Sequence, residues 1–193
     1  MTTPSSPASS PGLAPVPDVI GVGCSVLFCG INPGLLSGET GHHFARPGNR
    51  FWKALVLGGF VERVLEPSEV HELIARGIGI TNLVARVTAS AKELHPAEFA
   101  EGAELLRAKV ERVRPEILAV LGVGAWRAAV DKRAQLGRQS ERFGGATVFV
   151  LPNPSGLQAR YQLPELGVLF SEVRIARDAE LAPSRPPRRL PPR

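Results

Sequence analysis

Hydrophobic and polar positions alternate along the chain in short and long blocks. Apolar runs at 26–29, 78–83, 117–121 and 147–151 are short and end in Gly, Asn or Pro, which predicts four buried strands. Helical spacing fills the intervals. Phe51, Trp52, Leu55 and Val56 share one face after Asn49, a residue suited to cap a helix start, and Trp52 is expected in the core. Pro67 and Ser68 open a helix that Gly77 closes. Phe99, Ala103, Leu106 and Val110 mark an amphipathic helix over 96–114 before Pro115, and a last helix covers 163–179. Strands of unbroken apolar character between helices predict a parallel sheet covered on both faces. The expected fold is therefore α/β: a three-layer α/β/α sandwich around a short, mostly parallel four-stranded sheet.

Right-handed crossovers in such a fold gather the loops after the strands on one edge, where ligands bind. The first strand breaks into Gly30-Ile31-Asn32-Pro33-Gly34. Pro33 restricts the residue before it, so Asn32 is held in a narrow range of directions, or else this is an ordinary Asn-Pro-Gly turn. The 35–48 connection, expected without structure of its own, carries Ser37, His42, His43, Phe44 and Arg46. His42 and His43 read as loop surface. The second strand ends at Thr81-Asn82, and the 86–94 connection after it holds Lys92 and Glu93. The fourth runs into Pro152-Asn153-Pro154-Ser155-Gly156-Leu157. This topology brings Asn32, Asn82, Glu93 and Asn153 into one neighbourhood. Gly122-Val123-Gly124 is half a dinucleotide fingerprint with Arg127 where the third glycine belongs, so the glycines are expected to serve close helix–strand packing.

Composition narrows the class. The chain has 193 residues, enough for one domain with a sizeable core. No apolar run is long enough for a transmembrane helix, and the N-terminus lacks a secretory pattern, so no membrane contact and an intracellular location are expected. Cys24 and Cys29 are the two cysteines, too few to ligate an iron–sulfur cluster; five apart around one strand, they are expected on opposite faces as free buried thiols. Of the net charge of +5, four arginines against Glu180 place +3 in residues 179–193 and leave +2 elsewhere, a modest signal for an anionic partner. Residues 1–17 form a Pro/Ser-rich tail expected to be disordered, 18–179 the folded domain, and 180–193 an Arg/Pro-rich tail.

Gly30-Ile31-Asn32-Pro33-Gly34, then Phe44-Ala45-Arg46-Pro47-x-Asn49-Arg50-Phe51-Trp52-Lys53, then Leu151-Pro152-Asn153-Pro154-Ser155-Gly156-Leu157 form a distinctive set. With Gly79-Ile80-Thr81-Asn82-Leu83-Val84-x-Arg86, it resembles the mismatch-specific uracil-DNA and thymine-DNA glycosylase family over about residues 24–175. The resemblance implies hydrolysis of the bond between a damaged or mispaired base and deoxyribose in double-stranded DNA, by a monomer without metal or cofactor. Asn32 would hold the attacking water by its carbonyl oxygen, since an amide cannot act as a base. Glu93 is either a true base at the same cavity or a surface carboxylate paired with Lys92 or an arginine. Phe44 would stack on the flipped base or else secure its loop on the core. Gly30, Ile31, Ser37, Asn82 and Asn153 would line the base pocket. Leu157 would be the wedge filling the emptied stack, if it is not a core leucine, and Ser155 and Gly156 would approach the opposite strand. His42 and His43 depart from the family pattern. So does Gln158-Ala159-Arg160 after the wedge, which leaves either Gln158 or Arg160 to read the opposite base.

Overall fold

In a computed structural model, residues 13–156 and 160–182 are described, and the chain order is β1 (Val26–Gly30), α1 (Leu35–Thr40), α2 (Phe51–Leu57), β2 (Ile78–Asn82), α3 (Pro96–Val113), β3 (Ile117–Leu121), α4 (Val123–Ala129), β4 (Gly137–Arg138), β5 (Thr147–Leu151) and α5 (Leu163–Leu181). Short 3₁₀ segments occupy Pro67–Arg76 and Ala91–Glu93. The sheet order is β2-β1-β3-β5-β4, parallel throughout except for β4, which pairs antiparallel with β5.

The sheet thus has five strands where four were expected. The extra strand is two residues long, Gly137–Arg138, with no apolar run to betray it. Its neighbours are as the periodicity predicts: β1, β3 and β5 are buried at every position. Alternation sends Val26, Phe28, Ile117, Ala119, Phe149 and Leu151 into one core with α2 and α5. Leu27, Cys29, Leu118, Val120, Val148 and Val150 face the other core, against α3 and α4. Phe28 centres the first core, its ring 5.4 Å from Phe51, 5.5 Å from Phe60 and 5.2 Å from Phe170. Trp52 packs there as expected. Both helical layers are therefore built from strand side chains that have nowhere polar to go.

Several boundaries differ from the sequence reading. The 35–48 connection contains α1, closed by Gly41 in the left-handed conformation. Asn49 does cap the following helix, its Oδ1 accepting from the Phe51 amide at 3.0 Å. The N-terminal arm is ordered earlier than residue 18: Val16 is buried, and Val19 exchanges two backbone hydrogen bonds with Ile80 on the outer edge of β2. The arm closes that open strand edge. Asp18 adds an ion pair to Lys109 at 2.6 Å, and Thr81 Oγ1 donates to Asp18 and accepts from Lys109. Residues 1–12 of the expected N-terminal tail, and 183–193 of the C-terminal one, lie outside the described residues. Of the two glycines expected to serve helix–strand packing, Gly122 packs closely, against the loop residue Ile31, where a Cβ would stand 2.9 Å away, whereas a Cβ on Gly124 would meet nothing within 4 Å.

Cys24 and Cys29 are free and buried. They share one core rather than opposite faces, because Cys24 precedes β1 and escapes its alternation. Burial pushes the Cys24 thiol up to about 11 and the Cys29 thiol up to about 12. The folded protein at pH 8 should therefore resist alkylation by iodoacetamide at both positions, and both should label after denaturation. Mass spectrometry of the two states checks this.

Candidate functional site

The carboxyl ends of the parallel strands open into a cavity of about 830 Å³. Gly30, Ile31 and Asn32 reach it from the end of β1, Ser37 from α1, Phe44 from the loop after α1, Asn82 from β2, and Asn153 and Ser155 from the loop after β5. The expected juxtaposition of Asn32, Asn82 and Asn153 is present. Glu93 is not part of it.

Asn32 is held by its nitrogen. Nδ2 donates to the Arg86 carbonyl at 2.9 Å, to Thr88 Oγ1 at 2.7 Å and to the Pro33 carbonyl at 3.2 Å. The orientation is chemically forced. The two carbonyls only accept, and Thr88 spends its own proton on the Ser90 carbonyl at 2.9 Å, so it too must accept from Asn32. Oδ1 is left as the end of the amide with no partner among the described residues. The clamp is itself fixed: Thr88 N donates to the Pro33 carbonyl, and Arg86 grips Glu98 through Nε at 2.7 Å and Nη2 at 2.9 Å. The Arg86 guanidinium, with the His95 amide, holds the Glu98 carboxyl down to about 2.

Phe44 lies flat on Phe51, centroids 4.2 Å apart and planes 28° apart, and lines the cavity as well. The ring secures its loop on the core, one of the two readings of its sequence position, and is half-buried. Its own φ of 53° is left-handed, and Ser37 Oγ accepts from the next amide, Ala45, at 3.3 Å. Gly30 has a specific reason to lack a side chain. A Cβ there would stand 2.5 Å from Asn82 Oδ1 and 3.4 Å from the Phe44 ring.

His43 is a correction. Expected on the loop surface, it is 2% exposed and lines the cavity, with Nε2 2.9 Å from the Pro17 carbonyl and Nδ1 3.3 Å from Asn82 Nδ2. Burial lowers its pKa from the ordinary imidazole value. Nothing in the spacing of His42 and His43 distinguishes the two; the partner of His43 is an arm residue placed in the tail by composition alone.

Glu93 is the second correction. Its carboxylate turns back to accept from the Ser90 amide at 2.7 Å, closing a capping box around Ala91–Glu93, and the residue is exposed outside the cavity lining. A carboxylate three residues after a serine is a capping signature, and that signal was present in the sequence. Lys92, its neighbour, does reach the cavity.

The strand-end loop after β5 is tied to the segment before α2. Asn153 Oδ1 accepts from Ser155 N at 3.0 Å, which turns the chain. Arg50 then bridges the loop's two arms: its backbone N donates to the Pro154 carbonyl at 2.9 Å, Nη2 to the Ser155 carbonyl at 2.8 Å, and Nη1 to the Tyr161 carbonyl. Gly156 is exposed, and a Cβ there would meet the Gly48 carbonyl at 2.7 Å. Arg160 is exposed, its guanidinium 5.6 Å from the Tyr161 ring centroid. Leu157 and Gln158 lie outside the described residues. Among the described residues no group of His, Cys, Asp and Glu is arranged to hold a metal ion.

Arg50 and Thr88 are site-building residues to which sequence reasoning gave no role, and His43 is one that it placed on the surface. Replacing Arg50 by Gln should speed trypsin cleavage after Arg160 by about tenfold, the scale of one or two lost charge-assisted hydrogen bonds. Timed digestion of native and variant proteins, read by mass spectrometry, tests this.

Comparison with protein families gives the same reading from outside the geometry. The uracil DNA glycosylase superfamily matches residues 17–173, from the arm residue that bonds His43 to the middle of α5. That span holds the whole parallel sheet and every described cavity residue. The chain therefore belongs to the uracil DNA glycosylase superfamily, hydrolases that release bases from DNA.

Proposed function

We propose that this protein removes uracil flipped out of G:U-type mispairs in double-stranded DNA, acting as a monofunctional glycosylase and initiating base-excision repair. The observation that carries this reading is the Asn32 amide, tied through Nδ2 to Thr88 and Arg86 so that Oδ1 is left to orient a water. An amide cannot take the water's proton, so its contribution is position, and the rest comes from stabilising the departing base as an anion. Uracil, a better leaving group than thymine, should be released first. Phe44, backed by Phe51, offers a face on which the flipped base stacks. Asn82 Oδ1, above Gly30, offers an acceptor to the base edge.

Flipping costs a few kcal/mol, less for a mispaired base. Ser155 lines the cavity on the loop that continues through Gly156 into Leu157, and we assign Leu157 the wedge that fills the vacated stack. Gln158 or Arg160 then reads the base opposite. The Arg/Pro-rich tail adds non-specific attraction to phosphates.

Single-turnover release of uracil from a G:U duplex tests the reading. Asn32→Ala should slow release by about 100-fold or more, and Thr88→Val, which frees the amide to rotate, by about tenfold. Glu93→Ala should stay within about threefold of the native rate, since its carboxylate caps a turn. A deeper loss in Glu93→Ala than in Asn32→Ala would overturn the assignment of the water to Asn32. Binding without release from any duplex would make the protein a damage-binding module. Because Lys92 reaches the cavity, borohydride trapping on the same duplex should be run alongside; no covalent adduct is expected.

A further inference from the structure

The bonding between β1 and β2 continues past the end of the sheet. Leu83 N donates to the Gly30 carbonyl at 2.9 Å, Val84 N to the Ile31 carbonyl at 2.9 Å and Thr88 N to the Pro33 carbonyl at 3.1 Å. Between Val84 and Thr88 this ladder has a gap: among the described residues, 85–87 make no backbone–backbone bond to the β1 loop. The Arg86 carbonyl lies in the gap and accepts from Asn32 Nδ2 at 2.9 Å. Side chains leaving the gap on either side set its direction. Arg86 donates to both carboxylate oxygens of Glu98, through Nε at 2.7 Å and Nη2 at 2.9 Å, and Nη2 also reaches the Glu93 carbonyl at 2.8 Å. Glu98 stands in the first turn of α3, where Oε2 accepts from His95 N at 2.8 Å. On the other side Val87 packs against α1 where Gly38 leaves room, since a Cβ on Gly38 would stand 2.8 Å from both Val87 methyl carbons.

We propose that Glu98 is a positioning residue for base release: through the Arg86 guanidinium it holds the Arg86 carbonyl against Asn32 Nδ2 and so keeps Oδ1 turned to the water. The inference rests on the reading of Asn32 as the group that orients the water. A forked guanidinium–carboxylate pair fixes orientation as well as distance. The Arg86 side chain is 47% exposed, so the pair contributes little to stability; what it fixes is the direction of one carbonyl. Thr88 secures the amide from within the loop, and Glu98 secures it from α3, a helix with no residue in the described cavity lining. Glu98 touches neither water nor base.

Glu98→Gln breaks the fork and keeps the helix cap. The Gln oxygen can accept from His95 N and Arg86 Nη2 as Oε2 does, while its NH2 faces Arg86 Nε, donor against donor. Single-turnover release of 5-fluorouracil from a duplex, a better leaving group that keeps slow variants measurable, is compared on the full chain in two backgrounds. With Asn32 in place, Glu98→Gln should slow release by about fivefold or more, while affinity for a duplex carrying non-cleavable 2′-fluoro-deoxyuridine stays within about twofold. In Asn32→Ala the same change should slow release by less than about twofold, because no amide is left to direct. Arg86→Lys, which keeps the charge but cannot fork, should repeat the pattern. The Tm of each variant should stay within about 4 °C of its background. Equal losses in the two backgrounds would mean a general structural effect and overturn the inference, as would weakened duplex binding. If Asn32→Ala is slow and Glu98→Gln with Asn32 in place is not, the role of Glu98 alone fails. If Asn32→Ala releases the base at the native rate, the reading of Asn32 fails whatever Glu98 does.

Discussion

A parallel sheet buried on both faces has no place for chemistry along its strands. Every side chain of β1, β3 and β5 except Thr147, which donates to Glu180 where β5 starts, is committed to one core or the other, so polar function is confined to the ends of the strands. Gly30, Asn32, Asn82 and Asn153 all stand at such stops. The cavity is the space left where four parallel strands end at nearly one level and their loops diverge. Position in this site is inherited from the sheet's register, in which Gly30 stands opposite Asn82, and that pairing brings the Asn82 amide over the one residue without a Cβ to obstruct it.

Amides dominate the site, and amides have two unlike ends. An asparagine is useful here only if something decides which end faces the substrate. For Asn32 the decision is made by Thr88 and the Arg86 carbonyl, for Asn153 by the Ser155 amide, and for Asn82 by His43. Each decision is made by a neighbour whose own hydrogen-bonding capacity is already spent or restricted: a hydroxyl with its proton elsewhere, or a ring with its hydrogen on a carbonyl. A group with a free rotor in any of these places would leave both amide ends available and the site ambiguous.

The parts of this arrangement legible in the sequence are those with a local signature. Apolar runs announce β3 and β5 to the residue and β1 to within one, and Asn-Pro-Gly punctuation marks the loops at Asn32 and Asn153. The two-residue strand Gly137–Arg138 has no pattern of its own and exists because β5 offers it a partner. Glu93 shares the strand-end topology of the cavity residues but stands outside the cavity, because the Ser90–Glu93 capping box turns its carboxylate back onto its own turn. His43 and Thr88 were missed for a different reason: each acquires its role from a residue more than 20 positions away, Pro17 or Asn32, and only the fold brings those partners together.

The N-terminal arm has a practical consequence for how this domain is delimited. A boundary drawn from composition falls at residue 18, and the family match starts at residue 17, yet Val16 is buried and the Pro17 carbonyl terminates a chain of contacts leading into the cavity. A fragment cut at either boundary would keep every strand and helix of the sheet and its two layers, all of which begin at Val26 or later. It would nevertheless have lost the buried Val16 side chain beside the carbonyl that bonds His43. In this molecule the edge of the domain and the edge of the candidate site are the same few residues.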